Sequence, residues 1–277
     1  MTGSVRAYCR DQVRRLDHDR YLTGLFAPVD RRADLFALYA FNLEIAKTAE
    51  FVSEPMIGHI RLEWWREAIA EIYEGQPRAH AVIAALSLAI RERHLTRDHF
   101  ERLIAARETD LDDWQPATLE ELEDYASETS VPLVSLALEI LDQGNEAAQA
   151  AAVPVGVAWA LTGLLRAVHF HARQKRIRLP RDIMSVHGVR PGPLLELRSS
   201  PELSAAVKQI AARAREHLAG LDHSPRAVQA ALLPATLARG YLAILERAGY
   251  DPFDPRVQRP DPAAAWRLTW VRLRGRI

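Results

Sequence analysis

Apolar residues recur at helical spacing along the whole chain, and strand-type alternation is lacking. Ile57, Ile60, Trp64, Trp65, Ala68 and Ile72 follow the i, i+3, i+4, i+7 rule and predict one buried helix face. Ser53 and Pro55 precede that helix and Gly75 follows it, the residue types expected at a start and a stop. Similar patterns predict helices over approximately 4–18, 31–52, 79–94, 97–113, 118–141, 146–174, 201–221 and 226–249. Loops are expected at Gln76-Pro77, Gly144-Asn145, Arg190–Pro193 and the proline-rich Asp251–Pro262. None is long enough for a domain linker and no internal repeat is visible, so residues 1–277 are expected to form a single all-α domain.

Composition narrows the class. Of 277 residues, 48% are hydrophobic and 26% charged, ordinary values for a water-soluble globular chain. No apolar run is expected to reach the ~18–20 residues of a membrane-spanning helix. The N-terminus carries Asp11, Asp17 and Asp19 among its arginines and lacks an apolar core, unlike a secretory leader. Cys9 is the single cysteine, which excludes an internal disulfide framework and fits a reducing compartment. A cytoplasmic location is the resulting expectation.

The zero net charge conceals an asymmetry. Residues 1–150 hold 16 Lys+Arg against 27 Asp+Glu, and residues 151–277 hold 20 against 9. Two complementary faces within one fold, or a basic surface for an anionic partner, would each produce this division. No nucleic-acid motif is present, and nucleic acid is not expected as a partner.

Several segments then resemble the squalene/phytoene synthase family: Leu35–Phe41 (LFALYAF), Arg61–Ile69 (RLEWWREAI), Arg107–Leu111, the helix around Tyr125, and Leu161–Pro180. The resemblance implies an isoprenoid synthase bundle, helices around a deep central cavity. Active members join prenyl diphosphates, using Mg²⁺ held by hard carboxylate oxygens from two aspartate-rich helical motifs. Here the first motif falls on Ala46, Lys47, Thr48, Ala49 and Glu50, so one acid remains and a lysine replaces another. The second falls on Ala167, Val168, His169, Phe170 and His171, with no acid. The resemblance therefore implies a degenerate site without magnesium or other cofactor and without catalytic residues. His169 and His171 are spaced i, i+2, which points them apart on a helix and argues against a replacement zinc site. Tyr125, Arg166, Arg173 and Arg178 are candidate cavity or anion contacts, with Lys175 and Arg176 in the same cationic stretch.

One branch of the family matches at greater length, the non-catalytic branch that contains the mitochondrial respiratory complex I assembly factor and its bacterial relatives. The matching segments are Phe36–Asn42, Val52–Pro55, Leu95–Asp113, Leu122–Thr129 and Ile177–Val189. This resemblance implies an assembly or binding factor for the NADH:quinone oxidoreductase, with its subunits or other assembly factors as partners, at the inner face of the inner membrane. Two alternatives stand beside it: a prenyl diphosphate transferase of altered mechanism, and an isoprenoid, lipid or quinone binder with a long apolar cavity. The tail 251–277 is basic at its end, and Trp266, Trp270 and Leu273 fall on one helical face. It is either a docked terminal helix or a peripheral membrane contact.

Overall fold

The computed structural model describes residues 2–52, 54–141, 146–221 and 226–275, and the regular structure among them is helical throughout. Helices α1 (Thr2–Leu16) and α2 (His18–Gly24) lead into α3 (Val29–Ala46), which stops one residue short of α4 (Thr48–Phe51). Then follow α5 (Pro55–Tyr73), α6 (Ala81–Arg93), α7 (Arg97–Ala106), a single 3-10 turn at Glu108–Asp110, and α8 (Leu119–Leu141). The next three, α9 (Glu146–Ala150), α10 (Ala152–Arg166) and α11 (Val168–Arg173), run nearly end to end. The chain continues through α12 (Arg181–His187), α13 (Pro191–Leu195), α14 (Pro201–Leu218) and α15 (Gln229–Leu232). It ends with α16 (Pro234–Arg247), α17 (Pro255–Gln258) and α18 (Ala264–Arg274).

Local chemistry sets many of these boundaries. The Asp17 carboxylate accepts the Arg20 backbone N–H at 3.0 Å to open α2, and the Ser200 hydroxyl accepts the Leu203 N–H at 3.2 Å to open α14. Pro55, Pro191, Pro201, Pro234 and Pro255 sit in the first turn of their helices, where a missing N–H costs nothing. Gly75, with φ of 81°, follows α5.

α10 is the axis of the bundle, packed against α8, α14 and α16, while α3 is held between α1, α6 and α8. A Cβ added to Gly156 would lie 3.0 Å from the Val131 Cα, so glycine permits α10 to cross α8 this closely. Phe41 on α3 meets Trp65 on α5 and Phe100 on α7 edge-on, with centroids 5.6 and 5.4 Å apart. One continuous core extends from Cys9 to Val257, and a smaller cluster around Leu233, Leu237, Tyr241 and Leu268 joins α16 to α18.

Several expectations need correcting. Trp65, Ala68 and Ile72 are buried as expected, but Ile57, Ile60 and Trp64 face outward, Ile60 at 63% exposure. The buried stripe of α5 is Gly58, Leu62, Trp65, Ala68, Ile69 and Ile72. Gly58 explains the rotation: a Cβ there would come within 2.3 Å of the Leu111 side chain, so α5 rests its backbone on Leu111. The helix predicted over 97–113 ends at Ala106, and that over 146–174 is interrupted at Ala151 and Ala167. Pro234 divides the one predicted over 226–249. Helices α13 and α17 form inside segments expected as loops, whereas Ser53 and Gly144-Asn145 lie outside the described residues. Finally, Ala148–Arg166 is long and apolar enough to cross a membrane, although half of its most apolar window is buried within the bundle. The uncharged Gln149, Gly156, Thr162 and Gly163 conceal this length when only strongly apolar side chains are counted.

Candidate functional site

Two helix breaks frame a cleft. α3 stops at Ala46, Lys47 adopts φ −88° and ψ 0°, and α4 starts at Thr48. α10 stops at Arg166, Ala167 adopts φ −85° and ψ −1°, and α11 starts at Val168. Between them lies a cavity of about 410 Å³. Ala46, Ala49 and Glu50 line one side at helical spacing, and Ala160, Gly163, Leu164, Ala167, His171 and Gln174 line the other. Phe170, Tyr125, Arg166 and Arg178 complete the placement of the sequence candidates within the cleft. Lys47, His169 and Arg173 are not part of its lining. The His169 ring instead returns to its own helix, its Nδ1 lying 3.0 Å from the Arg166 carbonyl oxygen, and Arg173 is exposed.

The lining is mixed, with Trp159, Leu164, Phe170 and several alanines among charged side chains. Besides Glu50 it includes Asp17, Asp19 and Asp110, facing Arg20, Arg107, Arg166, Arg176 and Arg178. At one end the Tyr241 hydroxyl donates to Asp19 at 2.8 Å, and the Arg166 guanidinium stacks 3.5 Å from the Tyr241 ring centroid. Arg166 also approaches Asp19 at 3.7 Å and donates to the backbone oxygens of Val257 and Arg259, at 3.3 and 3.5 Å. Burial raises the Asp19 carboxyl above its ordinary pKa, against the pull of Tyr241 and Arg166.

At the other end the Tyr125 hydroxyl donates to Asp110 at 2.6 Å, and Arg107 pairs with Asp110 at 3.2 Å. Arg176 donates to the Asp110 backbone oxygen at 3.1 Å, and buried Arg178 donates to the backbone oxygen of Trp114. Burial, and then the adjacent Arg178, pull His171 down to about 4, so its ring is neutral at pH 7. Among the described residues, three buried polar atoms of the lining have no hydrogen-bond partner: Arg107 Nε, Ser130 Oγ and His171 Nδ1. Desolvated polar groups of this kind suit a polar or anionic guest better than a bare hydrocarbon chain.

The donor set does not suit a magnesium diphosphate site. Mg²⁺ needs several hard oxygens left free for it, yet Asp17 pairs with Arg20 at 2.6 Å, Asp19 and Asp110 are held by tyrosine and arginine, and Glu50 is the one lining acid with no such partner among the described residues. Among the described residues no group of three or more His, Cys, Asp or Glu side chains is arranged to hold a metal ion.

Motif positions alone did not mark Asp17, Asp19, Arg20, Ser130 and Trp159 as cleft residues. Asp17 had a readable signal, an acid three residues before Arg20 at a helix start. The others become neighbours only when α2, α8 and α10 converge.

The sequence model of the squalene/phytoene synthase family matches residues 13–274. Complex I assembly factor 6 of Bos taurus is 32% identical over 270 residues, covering 95% of this chain and 81% of that protein. The phytoene synthase of Thermus thermophilus is 30% identical over 235 residues, covering 83% of this chain and 80% of that enzyme. A ligand-bound dehydrosqualene synthase structure superposes with a TM-score of 0.86 at 20% identity, covering 99% of this chain and 96% of that one. The helical architecture is that of the isoprenoid synthases, and the chain belongs to the squalene/phytoene synthase family.

Proposed function

We propose that this chain is a non-catalytic member of its family that serves the assembly of respiratory complex I, the NADH:quinone oxidoreductase. The observation that carries this reading is the state of Asp17, Asp19 and Asp110, engaged with the protein's own tyrosines and arginines, which leaves Glu50 as the single lining acid without such a partner among the described residues. Similarity to the bovine assembly factor over 95% of the chain supports the same role. Its partners on this reading are complex I subunits or other assembly factors, met at the inner face of the inner membrane. The charged lining favours an anionic guest over a free quinone, should the cleft hold one.

Deletion of the gene in its native host tests the role. Fully assembled complex I on a native gel, and NADH:quinone activity in membranes, should fall and return with the wild-type gene. Normal assembly in the deletion strain would refute the proposal. In parallel, purified protein given Mg²⁺ and farnesyl or geranylgeranyl diphosphate should form no squalene or phytoene. Product abolished by a chelator would establish the transferase alternative.

A further inference from the structure

The C-terminal helix divides its residues between two opposite faces. Ala264 and Leu268 are buried against α16, whereas Trp266, Trp270 and Leu273 project outward, Trp266 at 73% and Leu273 at 67% exposure. Water thus meets two indoles and a leucine at i, i+4, i+7 spacing, a costly surface to leave uncovered. Arg274 stacks on the Trp270 ring 4.2 Å from its centroid, placing a cation at the edge of that stripe.

A groove of about 520 Å³ borders this helix, lined by Arg247, Arg256, Arg259 and Arg267 together with Ile244, two prolines and Asp261. Asp261 pairs with Arg267 at 3.0 Å, and Asp254, just outside, pairs with Arg256 at 2.7 Å. The Arg247 and Arg259 guanidinium groups have no acidic partner among the described residues; Arg247 donates only to a carbonyl of its own helix. The groove is therefore net positive, and Arg267, which lines it, is the immediate neighbour of Trp266.

We infer that α18 and this arginine groove together form a docking surface for an anionic lipid bilayer. Tryptophan favours the headgroup level because its ring is apolar and its N–H polar, and leucine reaches the acyl boundary beneath. The free guanidinium groups attract acidic headgroups and form charge-assisted hydrogen bonds with phosphate oxygens. Charge complementarity selects the occupant: an apolar stripe carrying Arg274 at its edge, beside a groove with two unpaired arginines, suits an anionic bilayer better than a neutral one. The surface deepens the membrane placement proposed above, and its test on purified protein can fail without affecting the assembly role.

Because Leu268 is buried, cutting the chain at Ala265 would uncover its seat, so surface substitutions are the cleaner probe. The full chain, Trp266→Ser/Trp270→Ser and Arg247→Glu/Arg259→Glu are sedimented with phosphatidylcholine vesicles, with or without about one third phosphatidylglycerol. Thermal midpoints and circular dichroism verify that all three are folded. Wild type should bind the anionic vesicles roughly tenfold or more tightly than the neutral ones and be released by high salt. Each double variant should lose roughly tenfold on the anionic vesicles while remaining folded. Equal wild-type binding to both vesicle types, or either folded variant binding like wild type, would overturn the assignment.

Discussion

The two ends of the cleft use the same parts to different effect. At each, an aspartate accepts a hydrogen bond from a tyrosine hydroxyl beside an arginine: Asp19, Tyr241 and Arg166 at one end, Asp110, Tyr125 and Arg107 at the other. Arg166 is occupied by an aromatic face and two backbone oxygens, so its end is a latch holding the chain near Val257 and Arg259. The Asp110 end pairs Arg107 with the carboxylate, ties Arg176 to the Asp110 backbone oxygen and sets Arg178 within its electrostatic reach, and among the described residues Arg107 Nε and His171 Nδ1 have no partner. An acid that closes a seam and an acid that restrains several cations have different worth, though their hydrogen bonds look alike.

The largest expected effect is at the crowded end. Asp110→Asn removes the charge facing Arg107 while keeping the side chain's size, and should cost about 3 kcal/mol at pH 7 in urea unfolding. A loss below about 1 kcal/mol would show that the cations do not need this carboxylate.

Acid titration separates the ends next. His171 titrates at about 4 in the folded chain against 6.5 when unfolded, so between these values the unfolded state holds the extra proton. Stability should therefore fall as pH drops from 6.5 toward 4, by about 2 kcal/mol over most of that window, and His171→Asn should flatten this part of the curve. Asp19 acts in the opposite direction: its raised folded pKa gives stability that is complete below 3.8 and is lost as pH rises. Identical acid curves for wild type and His171→Asn would remove His171 as the cause.

The smallest effect belongs to the latch. In Asp19→Asn the amide oxygen still accepts from Tyr241, and Arg166 keeps its ring and its carbonyls, so less than about 1 kcal/mol should be lost at pH 7. A cost equal to that of Asp110→Asn would erase the contrast between the ends.

How far the sequence reveals these features depends on distance along the chain. Helical periodicity identifies the helical class and most long elements, because burial of one face is a local property. It misassigns the face of α5, where Ile57, Ile60 and Trp64 satisfy the same spacing as Gly58, Leu62 and Trp65. The deciding contact is between Gly58 and Leu111, far apart in sequence and involving the residue that periodicity ignores. The motif resemblance leads to the neighbourhood of Ala46, Glu50, Ala167 and His171, which the fold brings to one cleft. It does not anticipate the partners of the remaining acids, since Asp19 meets Tyr241 across 222 positions. The short breaks at Lys47 and Ala167 are equally hidden, as each interrupts a helical pattern by one residue.

Arg166 belongs to the cleft by its lining and to the C-terminal segment by its two carbonyl bonds, one of them to Arg259, whose side chain lines the arginine groove beside α18. With both sites occupied, a guanidinium shared in this way would couple them. An anion that drew Arg166 into the cleft would release the backbone carrying Arg259, and a bilayer that fixed Arg259 would alter the freedom of Arg166. By reciprocity, whatever factor one occupant imposes on the affinity of the other is returned in full.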